Sequence, residues 1–128
     1  MNTFKKIVVV ACLSLIAGCS SVQPVAGGSW AGFTETGQAS YYADKFQNRQ
    51  TASGAIYKHE LPTAAHKKLP FGSKVKVTNL ENGKDVVVEI NDRGPFVKGR
   101  IIDLSKSAFS SIGSTSSGLI DVKIEVVR

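Results

Sequence analysis

Asp92 and Asp103 are the two residues whose type and placement best suit proton-transfer chemistry. Asp92 follows Val86-Val87-Val88-Glu89-Ile90-Asn91 and precedes Arg93-Gly94-Pro95. It therefore stands where a β-branched strand ends in a sharp turn, at the kind of rim where rigid scaffolds display binding groups. Asp103 lies eleven positions further on, at the end of the next short apolar run, and can face the same cleft. Two carboxylates held close repel, so one keeps its proton to higher pH and can act as an acid near neutrality. Other readings stay open at this point. Asp92 is equally suited to be a turn aspartate accepting from backbone N–H groups, or a partner of Arg93. Asp103 can cap the helix expected around Ser105. His66 is either a satisfied, half-buried histidine or a functional one. Tyr41 and Tyr42 occupy adjacent strand positions and face opposite sides, one toward the core and the other free to stack on a ring.

Two further chemistries are excluded by spacing. His59-Glu60 with His66 lacks the second histidine that a zinc-binding helix needs, and Pro62 breaks such a helix, so no metal and no cofactor is expected. The serines have no His and Asp partners suited to acyl transfer.

The elements that must position these residues are mostly strands. Val75 and Val77 alternate with Lys74, Lys76 and Thr78, and Asn82-Gly83 predicts a two-residue hairpin turn into Val86 to Ile90. Ile120, Val122, Ile124 and Val126 alternate with Asp121, Lys123 and Glu125, the period of a strand with one buried face. Ser105 predicts the N-cap of a short helix through Ala108, Phe109 and Ile112, ended by Gly113. Five or six short strands and one or two helical turns in so short a segment predict a mainly β fold, a small closed barrel that leaves no exposed edge.

The N-terminus reads as a targeting segment. Lys5 and Lys6 precede an apolar run from Ile7 to Ile16, then Ala17, Gly18 and Cys19. The run is about half the roughly 20 residues that a membrane-spanning helix needs, so residues 1–18 are expected to be an export signal. Residues 19–36, rich in Ser, Gly and Pro, show no period and are expected to form a flexible tether, with Trp30 and Phe33 packed on the domain or placed at a lipid interface. The domain is expected over residues 37–128. Cys12 leaves with the signal, and a single remaining cysteine in an exported domain calls for a use other than a disulfide. Removing Lys5 and Lys6 from the formal +6 leaves +4, a surplus suited to an anionic surface or polymer. The basic residues are interspersed with acids and make no aromatic-flanked stripe, so nucleic acid is not an expected partner.

Ile16-Ala17-Gly18-Cys19 resembles the lipobox of bacterial lipoproteins, which implies lipidation at Cys19 and attachment to a membrane facing the periplasm. Ser20, rather than Asp, favours the outer membrane by resemblance to known sorting rules. Three clusters carry a second resemblance. They are Gly37-Gln38-Ala39-Ser40-Tyr41-Tyr42 with Thr51-Ala52-Ser53-Gly54, Thr63-Ala64-Ala65-His66 with Leu69-Pro70-Phe71-Gly72, and Ile90-Asn91-Asp92-Arg93-Gly94-Pro95-Phe96 followed by Gly99 to Ser105. Together they resemble the rare lipoprotein A family, whose domain is a six-stranded double-psi β-barrel shared with expansins and some lytic transglycosylases. The resemblance implies an enzyme acting on peptidoglycan glycan strands, and a monomer is expected. It would cleave the linkage from N-acetylmuramic acid to N-acetylglucosamine and leave 1,6-anhydro ends. Asp92 and His66 would be its catalytic residues, with Asp103, Arg93, Asn91, Tyr42 and Thr51 binding substrate.

The chain departs from that family's pattern at Ala55, where active members usually carry a glutamate directly after the Thr-Ala-(Asn/Ser)-Gly segment. Glu60, five residues on, is too distant to be assumed a substitute. An expansin-like lipoprotein that binds peptidoglycan without cutting it is therefore the alternative. Many family members also carry a C-terminal glycan-binding domain that targets the septum, whereas this sequence ends on its expected barrel strand, so septal recruitment would need another partner.

Overall fold

The structure, a computed structural model, describes residues 30–128. Its strands are β1 (Thr34–Tyr41), β2 (Thr63–Ala65), β3 (Lys74–Asn79), β4 (Asp85–Asp92), β5 (Arg100–Leu104) and β6 (Ile120–Val126). They close into a barrel in the order β1-β5-β2-β4-β3-β6. One α-helix, α1 (Lys106–Ile112), follows β5, and short 3-10 turns occupy Asp44–Phe46 and Thr115–Ser117.

The alternation read in the sequence is the alternation of burial. In β3 Val75 and Val77 point inward, and in β6 Ile120, Val122, Ile124 and Val126 do. Ser105 caps α1, its Oγ accepting from the Ala108 N–H at 3.3 Å, and α1 lays Ala108, Phe109 and Ile112 against the core. Gly37 lets β1 pass close over β5, for a Cβ there would stand 2.6 Å from Ile101 Cγ2.

Two expectations are corrected. The β3–β4 connection is not a two-residue turn, because Asn79 N–H already donates to Lys84 O, leaving residues 80–83 as the loop. The reason is tertiary: Asn79 and Asn82 both donate side-chain amide hydrogens to Ile112 O, at 2.8 and 2.9 Å, and so close the end of α1. The domain also begins before residue 37. Thr34 opens β1, Gly32 N–H donates to Val126 O, and Trp30 and Phe33 pack edge-to-face at 5.2 Å against the core. Cys19, the signal over residues 1–18 and most of the expected tether lie outside the described residues. Among the described residues no helix is long and apolar enough to cross a membrane.

What matters for function is a pair of parallel pairings in an otherwise antiparallel barrel, β1 with β5 and β2 with β4. The β2–β4 pair runs opposite to the β1–β5 pair, and the two pairs meet at their C-terminal residues. Along that row Ser40 pairs with Asp103, Asp103 with Ala65, and Ala65 with Asp92. Asp92 and Asp103 are therefore two strands apart, with backbones separated by roughly 10 Å.

Candidate active site

A groove of about 420 Å³ opens over this row. Asp92 and Asp103 line it together with Tyr41, Tyr42, Arg49, Arg93 and Arg100. Three donors hold the Asp92 carboxylate. Ala52 N–H and Arg93 N–H donate to Oδ1 at 2.8 and 2.9 Å, and the Tyr42 hydroxyl donates to Oδ2 at 2.7 Å. A carboxylate offers about four acceptor directions, so one on Oδ2 is left free.

Each donor is placed by its own local structure. Arg93 opens the turn at Gly94, whose φ of +124° favours glycine. Ala52 sits in a loop closed by Thr51, whose N–H and hydroxyl both donate to Ala55 O. Ser53 N–H ties the loop to Asn91 O at 3.2 Å. Thr51 and Asn91 are both buried, and these contacts fasten the loop to β4. Tyr42 stacks on the buried Tyr57 ring at 4.2 Å and meets Phe46 edge-on, so one of its faces is already covered. Tyr41 is the core-side tyrosine, packed 4.8 Å from Phe109.

Burial, then the hydrogen bond to Asp92, pushes the Tyr42 phenol far above its ordinary range, and burial raises Tyr57 as well. Tyr42 therefore stays a donor throughout the working pH range. Because both phenols are raised in the fold, stability is independent of them below the unfolded tyrosine value of about 10. It falls above that value, where the unfolded chain releases protons that the fold retains. Absorbance titration should show Tyr42 and Tyr57 ionising only with alkaline unfolding. Ionisation of all three tyrosines below pH about 10.5 in the folded protein would contradict this.

Asp103 does not form the coupled carboxylate pair that the spacing allowed, nor does it cap α1. It accepts from Arg100 at 2.6 Å and from the Ser40 hydroxyl, so a guanidinium neutralises it. Arg93 pairs with no aspartate among the described residues. Its guanidinium lies 4.1 Å over the Phe71 ring and donates to His66 O at 3.1 Å.

His66 is brought next to Asp92 by backbone, its N–H donating to Asp92 O at 3.2 Å, yet its ring does not line the Asp92 groove. The buried ring accepts at Nδ1 from the N–H groups of Lys68 and Leu69, at 3.0 and 3.2 Å. That places its hydrogen on Nε2, which donates to Glu35 Oε1 at 2.9 Å in a separate pocket walled by Trp30 and Phe33. Glu60 lies outside the groove lining, and Ala55 is exposed.

The sequence reading missed Glu35, Arg100, Tyr57 and the Ala52 N–H. Glu35 lies in a strand whose inward residues are small, so β1 carries no apolar alternation there to reveal it. Arg100 was visible beside Asp103 at i, i+3, but only the strand pairing shows that both face the groove.

A family model described as lytic transglycolase matches residues 34–124. Among curated proteins, one named endolytic peptidoglycan transglycosylase RlpA from Pasteurella multocida is 55% identical over 98 residues, 77% of this chain and 33% of that protein. Proteins of the same name from Vibrio cholerae and Neisseria meningitidis serogroup A are 55% and 50% identical, over 75% and 76% of this chain and 36% and 41% of their own lengths. The chain thus spans about a third to two fifths of these relatives. Among solved structures, the Streptomyces papain inhibitor aligns with a TM-score of 0.63 at 24% identity, covering 77% of this chain and 97% of that one. A Clavibacter michiganensis expansin, solved with cellohexaose, aligns at 0.58 and 21%, covering 75% of this chain and 51% of its own. These two similarities show a shared barrel fold.

Proposed function

The chain belongs to the lytic transglycolase family, and from that membership we propose that its groove binds peptidoglycan glycan strands and cleaves them without water. The observation that carries the proposal is Asp92: a carboxylate fixed by three donors at the groove floor, with one Oδ2 direction left open.

Protonated at that position, Asp92 gives its proton to the glycosidic oxygen between N-acetylmuramic acid and N-acetylglucosamine as the bond to C1 breaks. The C6 hydroxyl of the same muramic acid attacks C1, and the Asp92 carboxylate takes the hydroxyl proton. Atoms balance without a hydrolytic water, and the acid is restored for the next turnover. One carboxyl suffices, whereas glycoside hydrolysis uses two. Ala55 and the Arg100-bound Asp103 are both consistent with that economy. Tyr42 holds the carboxyl orientation, and Arg93 and Asp103 line the substrate path. His66 is proposed as a structural residue whose ring secures the segment beside Asp92 through Lys68, Leu69 and Glu35, in place of the catalytic role implied by resemblance.

The 50–55% identical relatives are named for peptidoglycan, which supports a place in the cell envelope. Anchorage through a lipid on Cys19, in the outer membrane and with a monomeric barrel, belongs to the same proposal. With the domain starting at Trp30, the intervening chain reaches about 40 Å at most, enough for a neighbouring polymer and little more.

The test is to incubate the protein with purified peptidoglycan and look for anhydromuramic ends by mass spectrometry. Their appearance is expected. Their absence, with wall binding retained in a pelleting assay, would overturn the enzyme in favour of an expansin-like binder, the reading that Ala55 favours. Absence of both would leave an envelope scaffold.

A further inference from the structure

Asp44, His59 and Lys106 form a polar cluster that the proposed reaction does not use. Asp44 Oδ1 accepts from His59 Nε2 at 2.9 Å and from Lys106 Nζ at 3.1 Å. The Lys106 ammonium foremost, and then the hydrogen bond from His59, hold the Asp44 carboxyl below its ordinary range. The side chain is nonetheless 80% exposed, and its Oδ2 has no partner among the described residues. Asp44 and Lys106 line a second cavity of about 430 Å³ with Gly118. Tyr41 and Ala43 line both this cavity and the Asp92 groove, so the two basins adjoin at these residues. Each falls within the size range of a small-molecule site, and Asp92 belongs to the first alone.

We propose that the Asp44–Lys106 basin is a second sugar subsite, which holds the part of a glycan strand that extends past Tyr41 and Ala43 from the Asp92 groove. The chemistry suits a polyhydroxylated, N-acetylated ligand. A carboxylate with a free oxygen accepts from sugar hydroxyls, and the ammonium donates to hydroxyl or acetamide oxygens. Because Asp44 is already held on one oxygen, it can be rigid toward a ligand while remaining open to it. The cleft then rewards length: a strand that fills both basins binds more tightly than a fragment that fills only the Asp92 groove.

The inference rests on the glycan reading of the groove, and its test separates the two. Binding of purified glycan oligosaccharides of graded length is measured by calorimetry on the Asp92→Asn protein, where cleavage cannot interfere. Affinity should rise stepwise with length. Lys106→Met should weaken the longer ligands by about tenfold, the loss of one charge-assisted hydrogen bond, and leave the shortest bound ligand unchanged. Lys106→Arg should restore the difference. Equal weakening at every length would overturn the subsite in favour of a structural role for Lys106, as would no change at any length. The Lys106–Asp44 pair is exposed, so the variant is expected to fold normally. If the unmutated protein yields no anhydro ends but the length step persists, the transglycosylase reading fails and the subsite stands. If no oligosaccharide binds at all, both fail.

Discussion

Asp92→Asn is expected to lower the production of 1,6-anhydro ends by about 10²- to 10⁴-fold, the usual contribution of a positioned acid/base. The fold should survive. Asparagine keeps a carbonyl oxygen where Oδ1 accepts from Ala52 and Arg93, and its amide can donate to the Tyr42 hydroxyl oxygen in place of the present bond. The melting temperature should therefore change by only a few degrees, and the binding of oligosaccharides should persist. The discriminating measurement is turnover on glycan strands alongside thermal unfolding. Activity within about threefold of the parent would remove Asp92 from the chemistry and leave it as the clasp of the 51–55 loop. A loss of activity with collapse of the fold would point the same way, since a clasp whose removal unfolds the domain needs no catalytic role.

His66→Ala has the second large effect, and it is an effect on stability. The substitution strips the acceptor from the Lys68 and Leu69 N–H groups and the donor from Glu35. Leu69 is fully buried, so its N–H is left without a partner where water does not reach. A buried unsatisfied group costs about 1–3 kcal/mol. With the space vacated by the ring, a total of about 3 kcal/mol is expected, which lowers the melting temperature of a domain this size by roughly 12–24 °C. Turnover per folded molecule, measured well below that temperature, should stay within about threefold of the parent. His66→Gln, which can accept at its amide oxygen, should recover part of the loss. A protein of unchanged stability with turnover reduced a hundredfold would instead make His66 a group that acts on the substrate.

These two residues also mark the boundary of what can be read from the chain. Val75 and Val77, Ile120 to Val126, and the Ser105-capped run to Ile112 announce their elements because period and capping are local properties. Each depends on residues within a turn or a pleat of one another. Asp92 was legible for the same reason: a β-branched strand stops at Arg93-Gly94-Pro95, and whatever stands there is presented at a rim. The start of β1 was not legible. Its buried positions are Ala39 and Ser40, with Gly37 pressed against Ile101, so the strand carries no apolar alternation and its first residues read as tether. The two-residue hairpin failed because Asn79 and Asn82 serve α1, an obligation invisible in the sequence of the hairpin itself.

The sequence by itself determined that the chain makes a small, mainly β barrel, that one acidic residue stands at a strand end, and that Ala55 leaves the loop beside it without a carboxylate. Only the tertiary structure decided which groups meet at Asp92. The parallel pairings of β1 with β5 and β2 with β4 join segments far apart in the chain, and nothing local specifies their register. That register gives the Ser40 hydroxyl to Asp103, gives the Tyr42 hydroxyl to Asp92, and turns the His66 ring toward Glu35 although its backbone touches Asp92. Side-chain direction in a closed barrel is set by which strands become neighbours, and neighbours are chosen by the packing of the whole core.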